Sequence, residues 1–133
     1  MTARHLDHIN IQTHDMAGTI AFYAEFLGLE ARTAPQRDPS ERQWLYVGER
    51  AVIHLNLFGT DNTIPRDVIP GDPTGAIHHV AFECDGYDDT IAKIEARGLH
   101  YACNDIPAIG LRQLFVNDPN NVLLELNFRS PRP

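Results

Sequence analysis

One displacement of the sequence against itself constrains the fold more than any other feature. Laying LDHINIQTHDMAGTIAFYAEFLGLE (residues 6–30) over IHHVAFECDGYDDTIAKIEARGLHY (77–101) brings Thr19-Ile20-Ala21 onto Thr90-Ile91-Ala92 and His8 onto His79, an offset of 71 residues. The same offset takes Gln43-Trp44-Leu45 onto Leu114-Phe115-Val116 and VIHLNL onto LLELNF, so that His54 falls on Glu125. A single offset that spans strand, helix and later strands is not expected by chance, and two copies are too few for a solenoid. The chain therefore reads as an α+β fold of two βαβββ modules, residues 1–58 and 76–133, within one structural domain. The segment 59–75, with Pro65, Pro70 and Pro73 between Gly59 and Gly75, reads as the linker.

Local signals agree with that division. Asp15 suits a helix N-cap, Ile20, Tyr23 and Leu27 share a helical face, and Gly28 suits the C-terminal turn. In the second copy Tyr87, Ile91 and Ile94 recur at helical spacing, and Gly98 closes. Asp118-Pro119-Asn120-Asn121 reads as a tight turn with Asn121 in the left-handed region.

Strand parity adds an independent constraint, because alternate side chains point to opposite faces. In AVIHLNLF (51–58), Ile53, Leu55 and Leu57 share one face, and Val52, His54 and Asn56 the other. In VLLELNF (122–128), Leu124, Leu126 and Phe128 share one face, and Leu123, Glu125 and Asn127 the other. The apolar faces belong under the helices, which leaves the mixed faces to line something polar. On the first strands His8 and His79 occupy equivalent places, while His78 points the other way, toward the helix-covered side. If a pseudo-two-fold relates the modules, then His8, His54, His79 and Glu125 converge at its axis.

Taken singly, each of these residues has an ordinary explanation. A histidine in a strand is more often hydrogen-bonded or surface-facing than a metal ligand. Glu125 amid leucines costs several kcal/mol unless it is paired or bound to metal, and Arg112 or Arg129 would serve as an ordinary partner. Trp44 and Phe115 read more simply as core residues than as pocket walls, and His5, His14 and His100 as surface residues. Jointly the balance reverses. Three imidazoles and one carboxylate, placed by one offset and one parity, form an N/O ligand set suited to one divalent ion: Fe, Zn, Ni, Co or Mn. His54 either completes that set or stands beside it as a general acid/base with a pKa near neutral.

Composition excludes several other functions. The chain of 133 residues is 43% apolar, which supports a folded core, and no run approaches a membrane helix. A net charge of −7 with scattered basic residues argues against nucleic acid or an anionic membrane as partner. Cys84 and Cys103 are too few for a disulfide framework. MTARHLDH lacks the apolar stretch of a signal peptide, so a cytoplasmic protein is expected. Thin sheets with free edges predict a homodimer.

From LDHINIQTHDMAGTIAFYAEFLGLE to FVNDPNNVLLELNF the chain resembles the vicinal oxygen chelate superfamily. Its members include glyoxalase I, methylmalonyl-CoA epimerase, extradiol dioxygenases and the fosfomycin and bleomycin resistance proteins. The resemblance implies paired βαβββ modules forming an open, U-shaped mixed sheet around a divalent metal. It also implies a small substrate that chelates this ion through vicinal oxygens. The family's ligands match His8, His79 and Glu125. Glyoxalase I carries glutamate where His54 stands, whereas extradiol dioxygenases have a histidine there that acts as acid/base beside the iron. The tyrosine and glycine of the ring-cleavage motif are Phe115 and Asn121 here. The expectation is a metal-dependent enzyme, either a lyase/isomerase or a ring-cleaving dioxygenase, with His54 and Glu125 as catalytic residues. The alternative is a small-molecule (drug) binding or resistance protein with a vestigial metal site.

Overall fold

A computed structural model describes residues 1–60 and 76–130. The chain divides into two compact units, Met1–Ile69 and Pro70–Pro133. Apart from Gly59 and Thr60, the expected linker 59–75 lies outside the described residues.

The first unit runs β1 (Ile9–Thr13), α1 (Met16–Leu27), β2 (Glu30–Thr33), β3 (Arg42–Val47) and β4 (Arg50–Leu57). The second runs β5 (Val80–Glu83), α2 (Tyr87–Ala96), β6 (Tyr101–Ile106), a 3₁₀ turn (Pro107–Ile109), β7 (Leu111–Asn117) and β8 (Leu123–Arg129). Each unit is thus a βαβββ module, and each has its own four-stranded sheet, ordered β1-β4-β3-β2 and β5-β8-β7-β6. The first and last strands of a module pair in parallel, and the other pairs are antiparallel.

The strand registers superimpose under the offset of 71. Ile9 lies opposite Ile53 and Val80 opposite Leu124; Trp44 opposite His54 and Phe115 opposite Glu125; Arg42 opposite Asn56 and Gln113 opposite Asn127. The edge strands break the symmetry. Ala31 faces Leu45, whereas its counterpart Ala102 faces Phe115 rather than Val116. A one-residue slip turns every side chain of a strand to the other face. Asn104 consequently stands beside Gln113, while its counterpart Thr33 stands beside Gln43.

The helices begin and end differently. The Asp15 carboxylate caps α1 by accepting from the Gly18 N–H at 2.9 Å, and Gly28, at φ +65°, closes it. No side chain caps α2; Asp88 and Asp89 in its first turn complement the helix dipole instead. Leu99 N–H donates to Ile94 O and Gly98 N–H to Glu95 O, the paired bonds of a Schellman ending. The buried stripe of α1 is Thr19, Phe22, Tyr23 and Phe26. It is rotated from the expected Ile20–Tyr23–Leu27 face because three phenylalanine and tyrosine rings offer more apolar area than two aliphatic chains.

Under the helices the apolar strand faces are buried as parity requires. Leu45, Ile53 and Leu55 in the first unit and Leu114, Leu124 and Leu126 in the second are at most 1% exposed. The intervening residues, His54, Glu125 and Asn127, are half-buried on the opposite faces. This alternation is what presents polar chemistry on one side of each sheet.

Candidate functional site

In the first unit the polar face is built from rings. His54 projects from the central strand β4, and Trp44, directly opposite on β3, stacks on it with ring centroids 4.2 Å apart and planes 8° from parallel. His8, just before β1, covers the other side of the imidazole at 3.6 Å and 11°. Trp44 is therefore not a core residue, as the sequence suggests, but a wall of the site: antiparallel pairing puts it on the same face as His54.

This sandwich fixes what His54 can do. Imidazole lone pairs lie in the ring plane, and two nearly parallel planes 3.6 Å apart do not converge on one point. His8 and His54 in this arrangement do not share a metal. Burial, reinforced by the neighbouring His8 and opposed by Asp7, lowers the His54 pKa to about 4. That lies below the near-neutral range most useful to a general acid/base, because stacking excludes water from both ring faces. At neutral pH His54 is an uncharged imidazole, a proton acceptor.

In the second unit the polar face is built from amides and a carboxylate. Glu125 projects from β8, its side chain 17% exposed, with Phe115 opposite on β7 and Ala81 opposite on β5. Its Oε2 accepts from Asn127 Nδ2 at 3.0 Å, and its Oε1 lies 3.8 Å from His79 Nε2. The two arginines that would make Glu125 an ordinary ion-paired residue are engaged elsewhere. Arg112 stacks over the Tyr87 ring at 3.4 Å and lies 3.7 Å from Asp105, and Arg129 lies 3.7 Å from Glu83. Two donors each about 2.1 Å from one ion are at most about 4.2 Å apart, so the His79–Glu125 pair fits within the reach of a shared metal.

A further equivalence escaped the sequence reading. His8 Nδ1 donates to Asp7 Oδ2 at 2.6 Å, and His79 Nδ1 is 3.0 Å from His78 Nδ1. Asp7 and His78 are themselves related by the offset of 71, so each candidate ligand is held at Nδ1 by the residue before it. His78 is thus exposed beside His79 rather than packed on the helix-covered side. The hydrogen bond to His8 holds the Asp7 carboxyl below its usual range. Engaging Nδ1 leaves Nε2 as the ring nitrogen still open to a partner, the usual arrangement where a histidine binds a metal. Within the second unit, His79 Nε2 and Glu125 Oε1 are donors of the kind a borderline divalent ion takes.

Among the other histidines, His14 stacks on Phe58 and is exposed, as are His5 and His100. The turn after β7 is as expected: Asn121 has φ +63°, and Asp118 Oδ1 accepts from the Asn120 and Val122 N–H groups at 2.8 Å. Within either unit, no three metal-ligating side chains come together among the described residues.

The Glyoxalase/Bleomycin resistance protein/Dioxygenase superfamily profile matches residues 5–126. The chain belongs to this superfamily. Similar solved structures include an integron cassette protein from the mobile metagenome of V. cholerae, 21% identical, with a TM-score of 0.71 and 98% of each chain covered. A virulence protein from Salmonella typhimurium is 22% identical, with a TM-score of 0.68, 98% of this chain covered and 100% of the other. A mutant of the fosfomycin resistance protein FosX from Listeria monocytogenes, complexed with Mn(II) and 1S,2S-dihydroxypropylphosphonic acid, is 18% identical. Its TM-score is 0.67, with 97% of this chain and 93% of that chain covered. These likenesses establish the glyoxalase-type fold. No curated protein gave a significant match. No helix among the described residues is long and apolar enough to cross a membrane.

Proposed function

We propose that this superfamily member is a metal-dependent enzyme acting on a small substrate with neighbouring oxygen atoms. His8, His79 and Glu125 hold one divalent ion, drawn from Fe, Zn, Ni, Co and Mn, and His54 is the general acid/base. The observation that carries this reading is Glu125: a half-buried carboxylate with no arginine partner among the described residues, one oxygen facing an imidazole whose other nitrogen is already engaged. When bound, the metal supplies Lewis-acid stabilisation of an anion developing on the substrate oxygens.

The protein's own groups divide the remaining work. Neutral His54 accepts a proton from the substrate, and the rings of His8 and Trp44 hold its orientation. Trp44, stacked on His54, limits water at that ring. Mn(II) and a vicinal diol in the FosX complex support the same ligand chemistry for this chain. An uncharged His54 beside the metal serves the proton transfer of a lyase or isomerase and the acid/base role of a ring-cleaving dioxygenase alike, and both reactions stay within this reading. The ligands come from two units of one chain or of two copies in a homodimer.

Metal analysis of anaerobically purified protein, followed by proton-exchange and oxygen-uptake assays with diols and catechols, tests the proposal. Stoichiometric metal with exchange at a carbon next to the chelating oxygens is the expected result. Protein that neither holds nor is activated by any of these metals would instead be a small-molecule binding protein with a vestigial site.

A further inference from the structure

The half-site around Glu125 extends into a row of amides that no part of the proposed chemistry uses. Asn104 Nδ2 donates to Gln113 Oε1 at 2.8 Å, Gln113 Nε2 to Asn127 Oδ1 at 3.0 Å, and Asn127 Nδ2 to Glu125 Oε2 at 3.0 Å. Asn104, Gln113 and Asn127 are mutually opposite on β6, β7 and β8, so the row crosses three strands. Every donor points the same way, toward the carboxylate.

We propose that Asn104, Gln113 and Asn127 form a positioning array that offers the Glu125 carboxylate to a bound cation through one oxygen only. This rests on the reading of Glu125 as a metal ligand. Asn127 occupies Oε2 and leaves Oε1 on the His79 side, so the array selects monodentate ligation. Asn127 alone could rotate its amide; Gln113, 9% exposed, fixes it by occupying Oδ1, and Asn104 fixes Gln113 in turn. Hydrogen bonds in such a chain polarise one another, which strengthens the terminal bond to the charged oxygen.

The first unit shows that the row is not a by-product of the fold. In Gln113's place stands Arg42, which donates to Thr60. In Asn127's place stands Asn56, which donates across to Asn10 at 3.3 Å. Ala81, the counterpart of Asn10, offers no such acceptor, so Asn127 is left to Glu125. The edge-strand slip brings Asn104 onto this face, and Thr33 stays off it. Three separate departures from the repeat are required, and all of them serve the carboxylate.

The test is a double-mutant cycle read by calorimetric titration of the full-length protein with Mn(II). Asn127→Ala should weaken binding about 10–100-fold, the usual effect of losing a group that orients a metal ligand. Gln113→Met should weaken it less, and the double variant should bind no more weakly than Asn127→Ala. Independent, additive effects would overturn the array, as would an Asn127→Ala affinity within twofold of the parent. Side-chain amide resonances of the metal-free protein provide a readout that does not depend on metal. Glu125→Gln should shift Asn127 most, Gln113 less and Asn104 least; a shift confined to Asn127 would overturn the coupling. A graded shift in a protein that takes up none of Fe(II), Zn(II), Ni(II), Co(II) and Mn(II) would keep the array and reject the metal reading.

Discussion

The two units carry the same backbone and solve the same problem by different physical means. Each must hold one polar side chain still at the centre of a sheet face. The first unit holds His54 by dispersion and exclusion of water, between the parallel rings of His8 and Trp44. The second holds Glu125 by directed hydrogen bonds from Asn127 and, behind it, Gln113. The difference follows from charge. A neutral imidazole tolerates apolar walls, whereas a carboxylate in the same walls needs donors or a cation. The repeat puts residues 54 and 125 in equivalent positions, and an imidazole and a carboxylate there require opposite surroundings.

The largest effect expected from breaking this division is at Glu125. Glu125→Ala should abolish stoichiometric metal retention, measured by metal analysis after gel filtration. Metal retained at parental stoichiometry would remove Glu125 from the ligand set. His54→Ala separates the units' roles: the metal should remain bound while the catalytic rate falls about 100-fold or more, the size of losing a general acid/base. Joint loss of metal and activity would make His54 a ligand and would mean that the His8–His54 stack opens on loading. A third expectation concerns assembly. Static light scattering at micromolar concentration should give the mass of a homodimer, as thin sheets with exposed edges require. A monomeric mass would assign all three ligands to one chain.

Much of this comparison was legible in the sequence, because it depends on register. Offset and alternation are discrete properties, so the placement of His54 and Glu125 on the polar faces followed once Ile53, Leu55, Leu124 and Leu126 were assigned to the core. Interactions with no fixed sequence interval were not legible. The Trp44–His54 stack needs the β3–β4 pairing, and the amide row needs three strands in register as well as the slip of β6. Asp7 and His78 could have been found, since they occupy equivalent places before the two histidines. The pattern went unread because aspartate and histidine share no obvious role until both are seen at Nδ1.

A smaller effect tests how far the units differ outside the site. Of the two described α-helices, α1 has a side-chain cap and α2 does not: Asp15 accepts from the Gly18 N–H, while α2 begins at Gly86 without one. Asp15→Ala should therefore lower unfolding free energy by about 1 kcal/mol, the usual worth of an N-cap, seen as a lower denaturant midpoint with unchanged slope. A loss below about 0.3 kcal/mol would mean that the Thr13 and Thr19 hydroxyls beside Asp15 already secure the turn.

The smallest expected effect concerns pH, and it follows from the stack alone. His54 has a pKa of about 4 in the folded metal-free protein, against 6.5 for the free side chain. Above pH 6.5 the imidazole is neutral in both states and contributes no pH dependence. Between 6.5 and 4 the unfolded chain binds a proton that the folded chain refuses, so stability falls as the pH falls. Below 4 both states are protonated and this contribution levels off. The half-buried position lets solvent moderate the effect, which keeps it modest. His54→Phe retains an aromatic ring between His8 and Trp44 and removes the titration. Denaturant unfolding of the two metal-free proteins should therefore diverge in favour of His54→Phe on going from pH 6.5 to 4. A stability difference that stays constant across that window would show that the stacked rings do not lower the His54 pKa.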